Sequence, residues 1–418
     1  MIFSDSRNKF ERGQALIIIA IALVVLAGVM ALVIDGGNLF MDRRNAQNAA
    51  DSAALAAALA RIRGGQNPTS VALASAAQNG YSNDGTSSVV TIHIPPVSGP
   101  HIADVEYIQV VIVSHVKTYL ASLLGWTQLT NEVQAVARSK PSELKELLNG
   151  PALVSLAPNS NCGTGRAFWV HGEIALEITG GGVFVNSNNR DCALVQEGSG
   201  KIHLENTYQL NVVGGASIQK AQFLLPSVSV GEIPISYPPP FFMPEVVCGD
   251  DEEATVSGDG TTMSPGHWGE EAFPPDGVTQ LEPGVYCLDG DFVVGPGRSL
   301  TGTDVVFNVA QGEINFSGQA NISLSAPTSG DFFGLLLFVP IKNNNPVILD
   351  GSTGSTLHGT ILAPGSKITI IGSSPQHEYH SQIMGYTIEI QGQHKVDIIY
   401  KNSENFDSLS MPEVQLSQ

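Results

Sequence analysis

The most regular hydrophobic pattern in the chain is also its simplest. Ala15 to Ile34 reads ALIIIAIALVVLAGVMALVI, apolar on every face and without a charge. At 1.5 Å per residue, twenty helical residues reach about 30 Å, the thickness of a bilayer's hydrocarbon core. The run predicts a transmembrane helix over 15–34, anchored by Ala15, Leu16, Ile17, Ile18, Ile19, Val24, Val25, Leu26, Leu32 and Ile34. A cleaved signal peptide is the competing reading. The run is longer than a signal h-region, and no small-x-small cleavage site precedes a polar start. Instead the helical pattern continues from Leu39 to Ile62, rich in alanine and free of proline. It predicts a helical arm over 35–65, bent at Gly36-Gly37 and ended by Gly64-Gly65.

Beyond the arm the periodicity shortens. Residues 66–140 predict a small α/β domain. It comprises a helix around Val71–Ala77, strands at Val89–Ile94, Val105–Val113 and Glu132–Ala137, and a short helix near Tyr119–Leu124. β-Branched residues between Gly and Pro breakers carry the strands. Residues 141–165 read as a connecting helix and linker. From 166 to 400, runs of four to six residues such as Phe168-Trp169-Val170 and Tyr386-Thr387-Ile388-Glu389-Ile390 alternate with Gly, Asn, Ser or Pro. They lie closer together than the strands of hairpin sheets, and hairpin turn dipeptides are not systematic. A sandwich or jelly roll remains open. Small residues at tight corners favour a right-handed parallel β-helix whose coils stack. An irregular insertion at about 226–280 carries Tyr237-Pro238-Pro239-Pro240, which cannot sit in a central strand. It is expected to pack on the solenoid flank, with a polyproline ligand as the alternative. Residues 401–418 read as a C-terminal tail.

Composition and charge sharpen this division. Of 418 residues only 14% are charged, yet the net charge is −19. Residues 1–65 hold seven basic and five acidic residues, leaving 13 basic and 34 acidic for the rest. So acidic a body excludes nucleic acid as a main partner. Few charges together with 43% hydrophobic residues exclude a disordered chain. Arg7, Lys9 and Arg12 precede the apolar run, whereas Asp35 follows it and the next cations are Arg43 and Arg44. The positive-inside rule then places residues 1–14 in the cytoplasm as a tail and the body outside.

The residues flanking the apolar run carry a family resemblance. Arg12-Gly13-Gln14 before it, Asp35 after it, and Gln47-Asn48-Ala49-Ala50-Asp51 in the arm resemble the N-terminal module of TadG-like (TadE/TadG) proteins of tight-adherence (Flp) pilus-assembly systems. The resemblance covers about 11–62. It implies a bitopic envelope protein, a pilin-like layout for 66–140, and association with the lipid bilayer and other pilus-assembly or envelope proteins. Related pilins are cut after a glycine and carry glutamate at the fifth mature position. Gly13 fits the first feature, but Ile18 stands at the second, so an uncleaved anchor is expected. Gly284-Val285-Tyr286 and Leu357 to Gly365 are similar to a β-helical region in some TadG-like surface proteins.

Candidate chemistry is sparse. Cys162, Cys192, Cys248 and Cys287 all lie on the exported side, where two disulfides are expected. Three pairings are open, and proximity along the chain favours Cys162–Cys192 with Cys248–Cys287. No CxxC pair suggests zinc. Asp289/Asp291 and Asp250–Glu253 are acidic pairs expected to be solvated. His377-Glu378-Tyr379-His380 lacks the HExxH spacing and reads as a surface loop. His93, His101 and His115 are isolated. Asp350-Gly351-Ser352-Thr353-Gly354-Ser355 approaches the DxSxS magnesium motif, but Gly354 breaks it. The expectation is therefore a non-enzymatic, single-pass protein of the bacterial cytoplasmic membrane, without catalytic residues, metal or cofactor. It would act in pilus assembly, anchoring or adhesion, with a surface glycan or host ligand as a further partner. The alternatives are a membrane-tethered carbohydrate-active β-helix enzyme, or an adhesin or coat protein unrelated to pili.

Overall fold

A computed structural model describes residues 11–205, 208–220, 224–249, 253–375 and 377–417. The described chain forms two units. One comprises residues 11–142 with 411–417, the other residues 143–410. The chain leaves the first unit after Ser142 and returns to it after Ser410.

The first unit is built on helix α1, Glu11–Arg63, 53 residues long and so about 80 Å from end to end. The helix is continuous through Gly36-Gly37. Glycine in a helix interior costs only about 1 kcal/mol, and helix-forming sequence on both sides carries the hydrogen bonding through. Helix α2, Pro68–Gln78, starts with proline in its first turn and an Asn67 side chain that accepts the Thr69 and Ser70 N–H groups. Strands β1 (Ser88–His93), β2 (Tyr107–Lys117) and β3 (Gln128–Lys140) form an antiparallel sheet. The small side chains of Ala46, Ala49, Ala50, Ala53, Ala54, Ala57 and Ala58 are fully buried in one cluster with Ile108, Val110 and Ile112 of β2 and Ala137 of β3. Alanine at these positions lets the helix backbone lie close to the sheet. The predicted C-terminal tail is a correction: Glu413–Ser417 is a fourth strand, antiparallel to β3 with Val136 opposite Ser417.

The second unit is a curled parallel sheet, compatible with a β-helix-like fold. Among the described residues, twenty-five strands form one sheet whose partners lie one coil apart. The pairings run in three rows. In the first row, Gly284–Leu288 pairs with Val305–Val309, and Val183–Val185 with Leu210–Val212. In the second, Phe292 lies beside Ile314 and Phe168 beside Leu194. In the third, Leu300 lies beside Ile322 and Leu176 beside Ile202. Inward side chains from all three rows make one core, aromatic around Phe273, Tyr286, Phe292, Phe307 and Phe316 and aliphatic elsewhere.

The order of coils in space is not their order in sequence. The chain enters in the middle of the stack with Leu153–Ser155 and coils to one end at Val228–Val230. It resumes at Thr262–Met263 at the other end and coils back. The last coil then pairs with the first. Ile383 lies beside Leu153, Ile388 beside Phe168, and Lys395 beside Ala175, all parallel.

Residues 231–249 run along the outside of the first row, as the flank-packing expectation has it, though Glu253 and Val256 bridge to the end coil and residues 262–280 belong to the coil rather than to an insertion. Asn186 clasps Ile235 through both backbone groups, at 2.9 and 3.0 Å. Further along, Tyr237 donates to the Pro364 carbonyl at 3.3 Å and Asn308 to that of Val246 at 2.6 Å. Cys248 is joined to Cys287, and Cys162 to Cys192. The expected connecting helix after Pro141 is also corrected. Leu144–Glu146 is a strand, antiparallel to Asp407–Leu409, followed by a single 3-10 turn. A partner distant in sequence outcompetes the local helical pattern there.

One corner of the coil admits only glycine. Gly172 has φ +87°, and a Cβ there would meet the Gly392 carbonyl oxygen at 2.7 Å. A Cβ on Gly392 would in turn meet that of Gly372 at 2.4 Å. Gly172→Ala is therefore expected to destabilise the second unit by about 1–3 kcal/mol. Thermal unfolding of the full chain in detergent checks this, and a Tm equal to wild type would contradict it.

Candidate functional site

The residues that flank the apolar run converge on the base of the first unit. From Ala15 to Ile34 the helix is exposed on nearly every side, with no protein packed around it. The exception is Ala31, which is buried, and one helical turn later so is Asp35. The Asp35 carboxylate accepts the backbone N–H groups of Tyr119, Leu120 and Ala121 at 2.8, 3.1 and 2.6 Å. These donors open the 3-10 turn Ala121–Leu124 in the β2–β3 connection. Asp35 thus ties the end of the apolar run to a hairpin tip.

Two turns further, Asp42 is a second junction that sequence reading missed. Its carboxylate accepts Tyr81 Oη at 3.0 Å and Asn131 Nδ2 at 2.9 Å, together with the Ser114 hydroxyl. Gln47 donates to Asp51 at 2.8 Å on its own helix and to the Gln134 carbonyl of β3 at 3.0 Å. Ala49 and Ala50 are fully buried against the sheet, and Asn48 lines a polar hollow beside Asp42 and Tyr81. Arg12, Gly13 and Gln14 lie in the first turn of α1. The spacing of polar residues on α1 is the signal that would have found Asp42, because Asp35, Asp42 and the buried alanines that follow share one face.

In the second unit the candidate chemistry is dispersed. On the second row, Glu389 is buried and held by Lys367 at 2.5 Å and His171 at 2.8 Å. Trp169 stacks on His171 at 3.6 Å between ring centroids and lies under the Arg166 guanidinium at 4.0 Å. Arg166 forks onto Glu197 with two 2.9 Å bonds. Burial alone would raise the Glu389 carboxyl, but the bonds from Lys367 and His171 outweigh it and hold the group below the usual glutamate range. This cluster links the last coil, through Glu389, to the first, through His171.

On the third row, His358, His380 and Glu404 bring their ligand atoms within 4.8 Å of one another. The two imidazoles are stacked, 4.2 Å between centroids and 16° between planes. An ion in the plane of one ring would then sit off the plane of the other, so the pair offers facing rings rather than converging lone pairs. Burial, and then His380, push the His358 imidazole down in pKa. His377–His380 is a strand of this row, not a surface loop.

The remaining candidates are separated. Asp289 bonds His267 at 2.8 Å, whereas Asp291 accepts the Glu313 N–H at 2.8 Å. Asp350 is buried and accepts the Ser373 hydroxyl, while Ser355 donates to the Ala320 carbonyl at 3.0 Å. Ser352, the motif's remaining serine, faces the Ser355 hydroxyl at 3.5 Å, so it and Asp350 bond to separate partners. His101 stacks on Tyr107. Asp250, Asp251 and Glu252 lie outside the described residues, as do residues 1–10 of the predicted tail.

Comparison with known proteins bears on the helix rather than on the solenoid. Residues 13–60 match the family model described as Putative Flp pilus-assembly TadE/G-like. No curated protein and no solved structure matches the chain. The N-terminal segment thus carries a TadE/G-like domain, as the residues from Arg12 to Asp51 indicate. Its matched span runs from the start of the apolar run to the end of the buried alanine face. The apolar part of α1 is long enough to span a membrane.

Two outcomes follow from these contacts. Asp35→Ala removes the acceptor for three N–H groups and is expected to speed amide exchange at Tyr119–Ala121 at least tenfold, since an unpaired N–H costs about 1–3 kcal/mol. Hydrogen exchange read by mass spectrometry checks it. Glu389→Gln is expected to lower the Tm at pH 7. Because the folded carboxyl is depressed, its contribution is present above the ordinary glutamate value of about 4.3 and is lost as pH falls through the lower folded value. The Tm gap between variant and wild type should close on acidification. A pH-independent gap would assign the effect to packing.

Proposed function

We propose that this chain is a single-pass envelope protein of a tight-adherence (Flp) pilus system, acting in pilus assembly, anchoring or surface adhesion without catalysis. In this reading α1 spans the cytoplasmic membrane with its N-terminus inside. The first unit is a pilin-like domain just outside the membrane. The second is a right-handed parallel β-helix that serves as spacer or binding surface. The observation that carries the reading is the coincidence of the TadE/G-like match with one continuous helix, exposed along its apolar part and buried in its own sheet along its alanine part.

Charge supports the orientation, since cations precede the apolar run and an acidic body follows it. Two disulfides and no free cysteine suit an oxidising compartment. A non-catalytic role is favoured by the second-row cluster, where Glu197 and Glu389 are each bound to cations that neutralise them. A glycosidase instead needs one free acid and one free base at a fixed separation.

Mild crosslinking of the native membrane followed by affinity purification tests the role, and protease shaving of intact spheroplasts tests the topology. Recovery of pilus-secretion components, with residues 66–418 digested only from outside, is the expected result. Repeated absence of those components would favour a surface protein unrelated to pili. Turnover of a glycan by the purified chain would overturn the non-enzymatic reading.

A further inference from the structure

The Asp35 contact places an unusual surface beside the end of the apolar helix. The β2–β3 connection from Thr118 to Thr127 reads TYLASLLGWT, with no charge. Hairpin tips in water usually carry polar turn residues. Here Tyr119, Leu123 and Trp126 are 70, 82 and 66% exposed. They are not covered by the sheet, because the tip projects past it onto α1. Its level along α1 is fixed by the three bonds to Asp35 and by the burial of Ala31, 9% exposed among neighbours that are all open. Ala31 to Asp35 is the last turn of the apolar run, so the exposed Leu123 and Trp126 sit where a twenty-residue span would leave the hydrocarbon.

We infer that this hairpin tip is a second membrane contact, with Tyr119, Leu123 and Trp126 seated in the lipid interface beside α1. The inference rests on the reading of α1 as a membrane span. Tyr and Trp, with an apolar ring and a polar edge, collect at the headgroup level of bilayers, and a leucine between them reaches the acyl boundary. The same geometry accounts for Asp35. A carboxylate at the hydrocarbon edge is costly unless its acceptor capacity is filled, and here three backbone donors fill it while satisfying the N–H groups of the tip. Lys117, exposed at the end of β2, stands where an ammonium can reach lipid phosphates. The continuity of the tip with the apolar helix selects lipid as its occupant over a soluble partner.

The test uses the full chain carrying Trp169→Phe and Trp268→Phe, which leaves Trp126 as its one tryptophan. It is reconstituted in phosphatidylcholine–phosphatidylglycerol vesicles holding nitroxide lipids labelled either near the headgroup or deep in the acyl chain. The expected result is quenching of Trp126 several-fold stronger from the shallow label than from the deep one, with iodide quenching at least threefold weaker than for free tryptophan. Resistance of the chain to alkaline carbonate extraction reports α1 separately. If the chain resists extraction while Trp126 is quenched by iodide as freely as free tryptophan, the inference falls and the membrane reading stands. If the chain is extracted, both fall. A further Leu123→Ser, Tyr119→Ser substitution should weaken the shallow-label quenching while leaving extraction resistance unchanged. Undiminished quenching in that variant would also overturn the inference, because the tip would then not be seated by these side chains.

Discussion

The second unit depends on the parallel pairing of its last coil with its first. A strand in the interior of a coiled parallel sheet has a neighbour on each edge, and an unpaired strand exposes a row of backbone donors and acceptors. Leu153–Ser155, Phe168–Gly172 and Ala175–Thr179 begin the solenoid in sequence but lie inside it in space, and only residues 383–399 can cover their open edges. The two segments are more than two hundred residues apart along the chain, so the closure is a long-range contact that must offset a large loop entropy. What secures it is local: the stacked glycine corner at Gly372, Gly392 and Gly172, and the Lys367–Glu389–His171 bridge across the junction.

From that closure the rest follows. A coil that begins in its own middle must carry its chain from one end of the stack to the other, and residues 231–249 run outside the sheet on that path. The prolines at 238–240 suit this path, having no N–H to leave unpaired. Asn186 and Asn308 satisfy the crossover's backbone at Ile235 and Val246, Tyr237 of the crossover donates to the Pro364 carbonyl of a coil, and Cys248 is fixed to Cys287. The same arrangement brings residues 143–146 and 407–410 together, so the strands through which the chain enters and leaves the second unit pair with one another.

The sequence made the elements legible and left their order hidden. A twenty-residue apolar run has few physical readings, and alanine at helical spacing next to a β-branched sheet has few more. Most strands from Phe168 to Ile399 are legible because they are short runs of inward apolar residues bounded by turn residues. Which coil stacks on which is not a local property. Any two coils of similar inward pattern can pair, so nothing in Ile383–Gly392 alone points to Leu153. The Gly36-Gly37 pair does not interrupt the helix, because glycine permits a break without imposing one. Leu144–Glu146 misled because its partner lies beyond Asn405. Asp42 and the stacked pair His358 and His380 were missed for the same reason: the contacts that define them lie in other elements.

The strand Glu413–Ser417 has a consequence in time. The sheet of the first unit is completed by a strand that is translated only after the whole of the second unit. A chain interrupted anywhere in between retains α1, the buried alanine face and three strands, but leaves the edge of β3 bare. Completion of the N-terminal sheet therefore requires that the second unit be translated first. Only a product translated through its solenoid closes that edge, and a shorter one advertises an open strand to proteases and chaperones.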